Sequence, residues 1–153
     1  MIMTNSPIIL ITGASGGIGR AAAIECAEKG ARIAVHYNGN LGLAEETLGL
    51  LSGEGHQLFQ ADVTDPDQVA HLISGVIQHM GSIDVLINNA GVSQRHEMTE
   101  IDYATWQESW KRIVDTNLTG PSNLCYCAAI KMVEQGGGRI VNVSSRGAFR
   151  ANR

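Results

Sequence analysis

Four glycines, at positions 13, 16, 17 and 19, stand directly behind the short apolar run Ile8–Ile11 in the stretch PIILITGASGGIG, residues 7–19. Glycine permits positive φ and lets a ligand come close to the backbone. A helix begun just beyond such a turn supplies unpaired N–H groups and the positive end of its dipole. A strand, a glycine turn and a helix start together make an anion site, and the anion they fit best is a phosphate. The spacing is G-x-x-x-G-x-G, which departs from the common G-x-G-x-x-G fingerprint. The competing reading is a glycine-rich turn that holds nothing, so support has to come from the rest of the chain.

The surrounding elements follow from apolar periodicity and turn chemistry. Strands are expected at 8–11, 31–37, 57–61, 83–87 and 139–144. Helices are expected at 21–29, 41–51, 66–80 and 102–111, with residues 113–135 mostly helical around Pro121. Thr64 or Asp65 can cap the third helix, with Pro66 in its first turn. Strands that alternate with helices predict an α/β fold, a doubly wound parallel sheet with right-handed crossovers. Such sheets bind ligands beyond the carboxyl ends of their strands. The residues to watch are therefore 12–19, 37–40, 62–63, 88–91 and 144–145.

Size and composition agree. The chain has 153 residues, 44% hydrophobic and 17% charged, which suits a single domain with a real core. A net charge of −4 argues against a nucleic-acid partner. No Lys or Arg precedes Arg20, so the basic region of a signal peptide is lacking, and the leading apolar run is too short to span a membrane. Cys26, Cys125 and Cys127 fall in helical patterns without metal or redox spacing, and are expected to be buried free thiols. The expected location is the cytoplasm. Trp106 and Trp110 are expected to pack, and the five histidines show no metal spacing.

Five motifs in order resemble the short-chain dehydrogenase/reductase family. They are TGASGGIG (12–19), Asp62-Val63, NNAG (88–91), Asn117 in DTNLTGP, and IVNVSS (140–145). The resemblance spans essentially the whole chain and implies a Rossmann-type NAD(P)(H)-binding domain that moves hydride between nicotinamide and a small-molecule carbonyl or alcohol. Thr12, Gly13, Ser15, Gly17, Ile18 and Gly19 are then expected to bind the cofactor, with backbone N–H groups on the pyrophosphate. Asp62 can accept from the adenine amino group or cap the next helix, while Val63 lies against the ring. Asn89, Ala90 and Gly91 are small enough to carry the nicotinamide ribose, and Asn88 ties strand ends together. Tyr37 and Asn38 stand where an acid would favour NAD. With no acid there a 2′-phosphate is not repelled, so NADP(H) is expected over NAD(H). Arg20 is the nearest cation in sequence, either a ligand for that phosphate or a solvated helix residue.

By the same resemblance Ser145 is the serine that steadies the substrate oxygen, and Asn117 holds a water of the proton relay. The family's acid/base tyrosine, in Y-x-x-x-K, is absent. Tyr103 is followed four residues on by Gln107, and Tyr126 by Ile130. Arg153, the last residue, is eight beyond Ser145, too few to reach that motif. The expectation is the front part of a longer reductase of about 250 residues, inactive alone and a homodimer or homotetramer when complete. The alternatives are a nucleotide-binding module without catalysis, or a subunit completed by another chain. Gln94, Arg95 and His96 follow NNAG on the side where substrate would enter, and Arg146 and Phe149 follow Ser145; the expectation for most of them is solvated loop, the alternative a part in substrate choice. In the family's strand order, 3-2-1-4-5-6-7, the fifth strand is interior. Here it becomes an apolar edge, which predicts aggregation.

Overall fold

The computed structural model describes residues 6–145 other than 95, 96 and 98. In chain order the elements are β1 (Ile8–Ile11), α1 (Gly17–Glu28), β2 (Arg32–Tyr37), α2 (Leu41–Gly49), β3 (Gln57–Gln60) and α3 (Pro66–Met80). They continue with β4 (Val85–Asn88), α4 (Tyr103–Val114), a π-helical turn (Asp115–Thr119), α5 (Gly120–Glu134) and β5 (Arg139–Asn142). All neighbouring strands pair in parallel, in the order β3-β2-β1-β4-β5. The α/β, Rossmann-like sheet expected from the sequence is the sheet found.

Strand alternation divides the core into two layers. Ile8 and Leu10 face α3 and α5, joining Val69, Leu72, Val76, Leu124 and Ala128. Ile9 and Ile11 face the other way and pack with Ile33, Val35, Ala23, Ala27 and Ala44 beneath α1 and α2. Central β1 is buried on both sides, which is why its four residues read as one unbroken apolar run.

Two boundaries differ from the periodic pattern. Helix α1 starts at Gly17, inside the glycine motif, with Gly16 at its N-cap in an extended conformation (φ −168°) and no side-chain cap. Glycine carries no periodic signal, so the first turn is invisible to a hydrophobic count. Pro121 falls in the first turn of α5, directly after the π-helical turn, which interrupts the α-helical bonding where the proline has no N–H to give. The α3 cap is Asp65, which accepts from the N–H groups of Asp67 and Gln68.

The chain winds from β1 outward to β3, returns to the other side of β1, and continues from β4 to β5. The carboxyl ends of β1 and β4 therefore flank the point where winding reverses, and a crevice opens there.

Candidate active site

The turn after β1 is fixed from three sides. Buried Thr12 places its hydroxyl against the loop after β4, accepting from the N–H groups of Asn89 (2.9 Å) and Ala90 (3.0 Å). The Asn89 amide donates to the carbonyls of Thr12 (2.9 Å) and Gly13 (3.2 Å). From β2, the His36 ring accepts from the Gly13 N–H (3.1 Å), and the His36 carbonyl accepts from Ala14 N–H (2.9 Å). Arg20 closes the third side. Its guanidinium donates to the Ser15 and Leu43 carbonyls, to the Thr47 hydroxyl and to Glu46. It is a strut between the turn and α2 rather than a solvated residue.

Three of the residues expected at the cofactor have structural tasks in this geometry. The Gly13 N–H is already given to His36, so what Gly13 contributes is its positive φ of +66° and its close fit to Ala90. Thr12, expected to touch the cofactor, is 1% exposed and spends its hydroxyl on Asn89 and Ala90. Tyr37 follows the inward parity of Val35 and buries its ring in the layer beneath α1 and α2. The N–H groups that open α1, those of Gly17, Ile18 and Gly19, face the anion position without an intrahelical partner. The first helical bond from Arg20 N–H back to the Gly16 carbonyl closes behind them. In front of them lies room, because a Cβ built on Gly16 or Gly17 meets nothing within 4 Å.

Two clefts meet along the loop after β4. One, of about 520 Å³, takes in Gly13 and Ser15 from the turn, Asn38 and Asn40 after β2, and Asp62 and Val63 after β3. Asp62 receives the Thr64 N–H (2.9 Å) and hydroxyl (2.8 Å) on one carboxylate oxygen. It shapes its own loop and leaves helix capping to Asp65. The other cleft, of about 860 Å³, takes in Ile18, Asn89, Asn117, Cys125, Ser144 and Ser145. Ala90, Gly91 and Val92 border both, so the two form one trough. Of the residues expected from the sequence, Gly13, Ser15, Asn38, Asp62 and Val63 line the smaller cleft, Ile18, Asn89, Asn117 and Ser145 the larger, and Ala90 and Gly91 both, while Thr12, Gly17, Gly19 and Tyr37 line neither.

Asn117 sits in the π-helical turn and pairs both ends of its amide with Val92. Nδ2 donates to the carbonyl and Oδ1 accepts from the N–H, each at 2.8 Å. Its side chain is therefore occupied with holding the loop. Asn88 donates to Asn142 (2.9 Å), its register partner on β5, and to the Cys125 thiol. This ties the strand ends, as expected. The cysteines are half-buried rather than buried, and Cys125 opens on the trough. Trp106 stacks between Tyr103 and Trp110 along α4, with Trp110 55% exposed. Arg95, His96, Arg146 and Phe149 lie outside the described residues.

Sequence reasoning passed over His36, Arg112 and Thr116, which also line the nucleotide-sized cleft. A signal existed for His36. Strand alternation puts it on the face opposite Tyr37, toward the end of β3. It is 2% exposed, and burial pushes its pKa down from 6.5 to about 4, against smaller upward pulls from the Ala61 carbonyl and the Asp62 carboxylate.

Residues 7–153 match the family model described as short chain dehydrogenase. The chain belongs to the short-chain dehydrogenase family. Among members of this family it is 39% identical over 147 residues to the 3-oxoacyl-(acyl-carrier-protein) reductase FabG of Staphylococcus aureus, covering 95% of this chain and 57% of that protein. It is 38% identical over 146 residues to a short-chain type dehydrogenase/reductase of Picea abies, covering 90% and 53%. It is 39% identical over 149 residues to L-rhamnose 1-dehydrogenase (NAD(P)(+)) of Azotobacter vinelandii, covering 92% and 56%. A crystal structure described as ribose-5-phosphate isomerase from Brucella melitensis superposes with a TM-score of 0.85 at 29% identity, over 97% of this chain and 55% of that one. The chain spans a little over half the length of the relatives it matches. Among the described residues no helix is long and apolar enough to cross a membrane.

Proposed function

We propose that this chain binds a nicotinamide dinucleotide along the trough, NADP(H) in preference to NAD(H), as the cofactor-binding part of a cytoplasmic carbonyl or alcohol oxidoreductase. The observation that carries the reading is the convergence of five strand ends on one trough at the point where the sheet reverses its winding. The Gly17, Ile18 and Gly19 N–H groups would hold the pyrophosphate. Asp62 and Val63 would hold the adenine, and the Asn89-Ala90-Gly91 backbone the ribose beside the nicotinamide. The bound cofactor supplies or accepts the hydride.

Ser145 would steady the substrate oxygen in the larger cleft. Asn117 would act through the loop it holds and through its own backbone, since its amide is spent on Val92. A proton donor with its pKa lowered by a neighbouring ammonium has no candidate here, because no tyrosine is followed four residues later by a lysine. We therefore propose that the 153-residue chain binds nucleotide and by itself reduces nothing. The preference for NADP(H) is supported by the neutral side chains after β2, Asn38 and Asn40, and by the pairing of nearby Glu46 with Arg20. Relatives named for an acyl-carrier substrate and for a sugar support no narrower class than a carbonyl and its alcohol.

Fluorescence titration with NADPH and NADH, followed by an assay of carbonyl-dependent NADPH oxidation, tests this. The expected result is saturable binding, tighter for NADPH, without turnover. No binding overturns the reading, and turnover by this chain overturns the missing proton donor.

A further inference from the structure

His36 belongs to no motif, yet it occupies the wall of the nucleotide-sized cleft and touches the two loops on either side of it. Its Nε2 lies 3.0 Å from the Ala61 carbonyl oxygen. A carbonyl only accepts, so Nε2 carries the proton. Nδ1 is then bare, and it faces the Gly13 N–H at 3.1 Å. One neutral tautomer satisfies both contacts, and the reverse tautomer or the imidazolium would set N–H against N–H at Gly13. Burial enforces the neutral form.

The bond to Gly13 acts on the start of the turn. The next N–H, of Ala14, is held by the same residue through its carbonyl. The Gly13 carbonyl is turned the other way, toward Asn89 Nδ2 at 3.2 Å. Two consecutive N–H groups are thus directed into β2, while the carbonyl end of the Gly13–Ala14 peptide, opposite its N–H, is directed at the loop behind β4. The left-handed φ of Gly13 is what lets one residue serve both sides. The clasp fixes the first two peptide groups of the turn that leads into α1.

Resting on the nucleotide reading above, we propose that His36 is a positioning residue that sets dinucleotide affinity by holding the Gly13 N–H, with its bond to Ala61 serving to fix the ring. It touches no cofactor atom in this role. It steadies the turn that leads to the unpaired N–H groups of α1.

The two bonds can be separated by substitution. His36→Asn keeps an acceptor near the place of Nδ1 and drops the contact to Ala61. His36→Gln reaches as far as Nε2 but leaves Gly13 without its acceptor, and His36→Leu removes both. NADPH titration, thermal melting and amide hydrogen exchange at Gly13 are measured on the 153-residue chain and its three variants. The proposal expects the Asn variant to bind within about 3-fold of the wild type. It expects the Gln and Leu variants to bind about tenfold more weakly, as an unpaired buried donor would cause. Gly13 should exchange faster in Gln and Leu than in Asn. Affinities that simply follow the melting temperatures, or a Gly13 amide as unprotected in Asn as in Leu, overturn it. Failure of the wild type to bind NADPH counts against the nucleotide reading itself, whereas wild-type binding that none of the variants weakens counts against His36 alone.

Discussion

A Cβ placed on Gly19 would lie 2.4 Å from the carbonyl oxygen of Gly13 and 2.5 Å from Nδ2 of Asn89. The first turn of α1 is packed directly onto the turn that precedes it. Gly19→Ala is therefore expected to destabilise the chain by about 1–3 kcal/mol through overpacking and to abolish NADPH binding. Gly16→Ala, at an extended φ with open space around it, should melt within a degree or two of the wild type. Calorimetry with NADPH titration checks both.

Thr12 offers one buried oxygen to two N–H groups. Thr12→Val keeps the shape and orphans both donors, for an expected loss of about 2–4 kcal/mol. Thr12→Ser should cost about 1 kcal/mol or less, because it keeps the acceptor and loses one methyl. Urea unfolding of the pair measures the hydroxyl separately from the methyl.

Cofactor preference should respond to charge at the edge of the smaller cleft. Gly16→Arg enters open space and is expected to tighten NADPH binding about tenfold with little change for NADH, by pairing with the 2′-phosphate. Asn38→Asp should do the reverse, weakening NADPH and leaving NADH unchanged or tighter. Equal changes for both cofactors would show that the 2′ group does not lie there.

Acid should loosen the fold through His36. Its folded-state pKa of about 4 lies below its ordinary value of 6.5, so the unfolded chain takes up the proton first. Its contribution is complete above about pH 6.5 and is lost as pH falls toward 4, by up to about 3 kcal/mol. Urea unfolding at pH 7 and pH 4.5 should show a larger drop for the wild type than for His36→Asn, which has no proton to gain.

Among the described residues β5 pairs only with β4, and Val141 on it and Val143 just beyond its end are 47% and 42% exposed. On α5, Tyr126, Ile130 and Val133 form an exposed apolar stripe. The chain expressed alone should self-associate through these surfaces. Val141→Lys should reduce light scattering at equal concentration. A monodisperse wild-type monomer on gel filtration would contradict this.

Strand ends and glycines were legible because each leaves a local mark. An apolar run stops, and a small residue follows where the backbone must turn or be approached. The start of α1 at Gly17 left no mark, since its first turn is made of the same glycines that a periodicity count skips. Tyr37 and His36 show the limit most clearly. Adjacent at one strand end, they face opposite ways, and only the pleat decides which of them borders the cleft. The fate of the Gly13 N–H was hidden for the same reason, because its acceptor is 23 residues away in sequence. The π-helical turn before Pro121 likewise depends on where α5 meets the sheet. There a Cβ on Gly120 would lie 2.7 Å from the Val63 carbonyl.

Because β1 lies mid-sheet, its second neighbour is β4, with Ile9 in register with Val85. A ribosome making this polypeptide releases Ile8–Ile11 long before that partner is synthesised, so for much of translation a fully apolar strand has one side unmatched. Assembly must then wait on distant segments, which slows it and prolongs the exposure of an unpaired apolar strand.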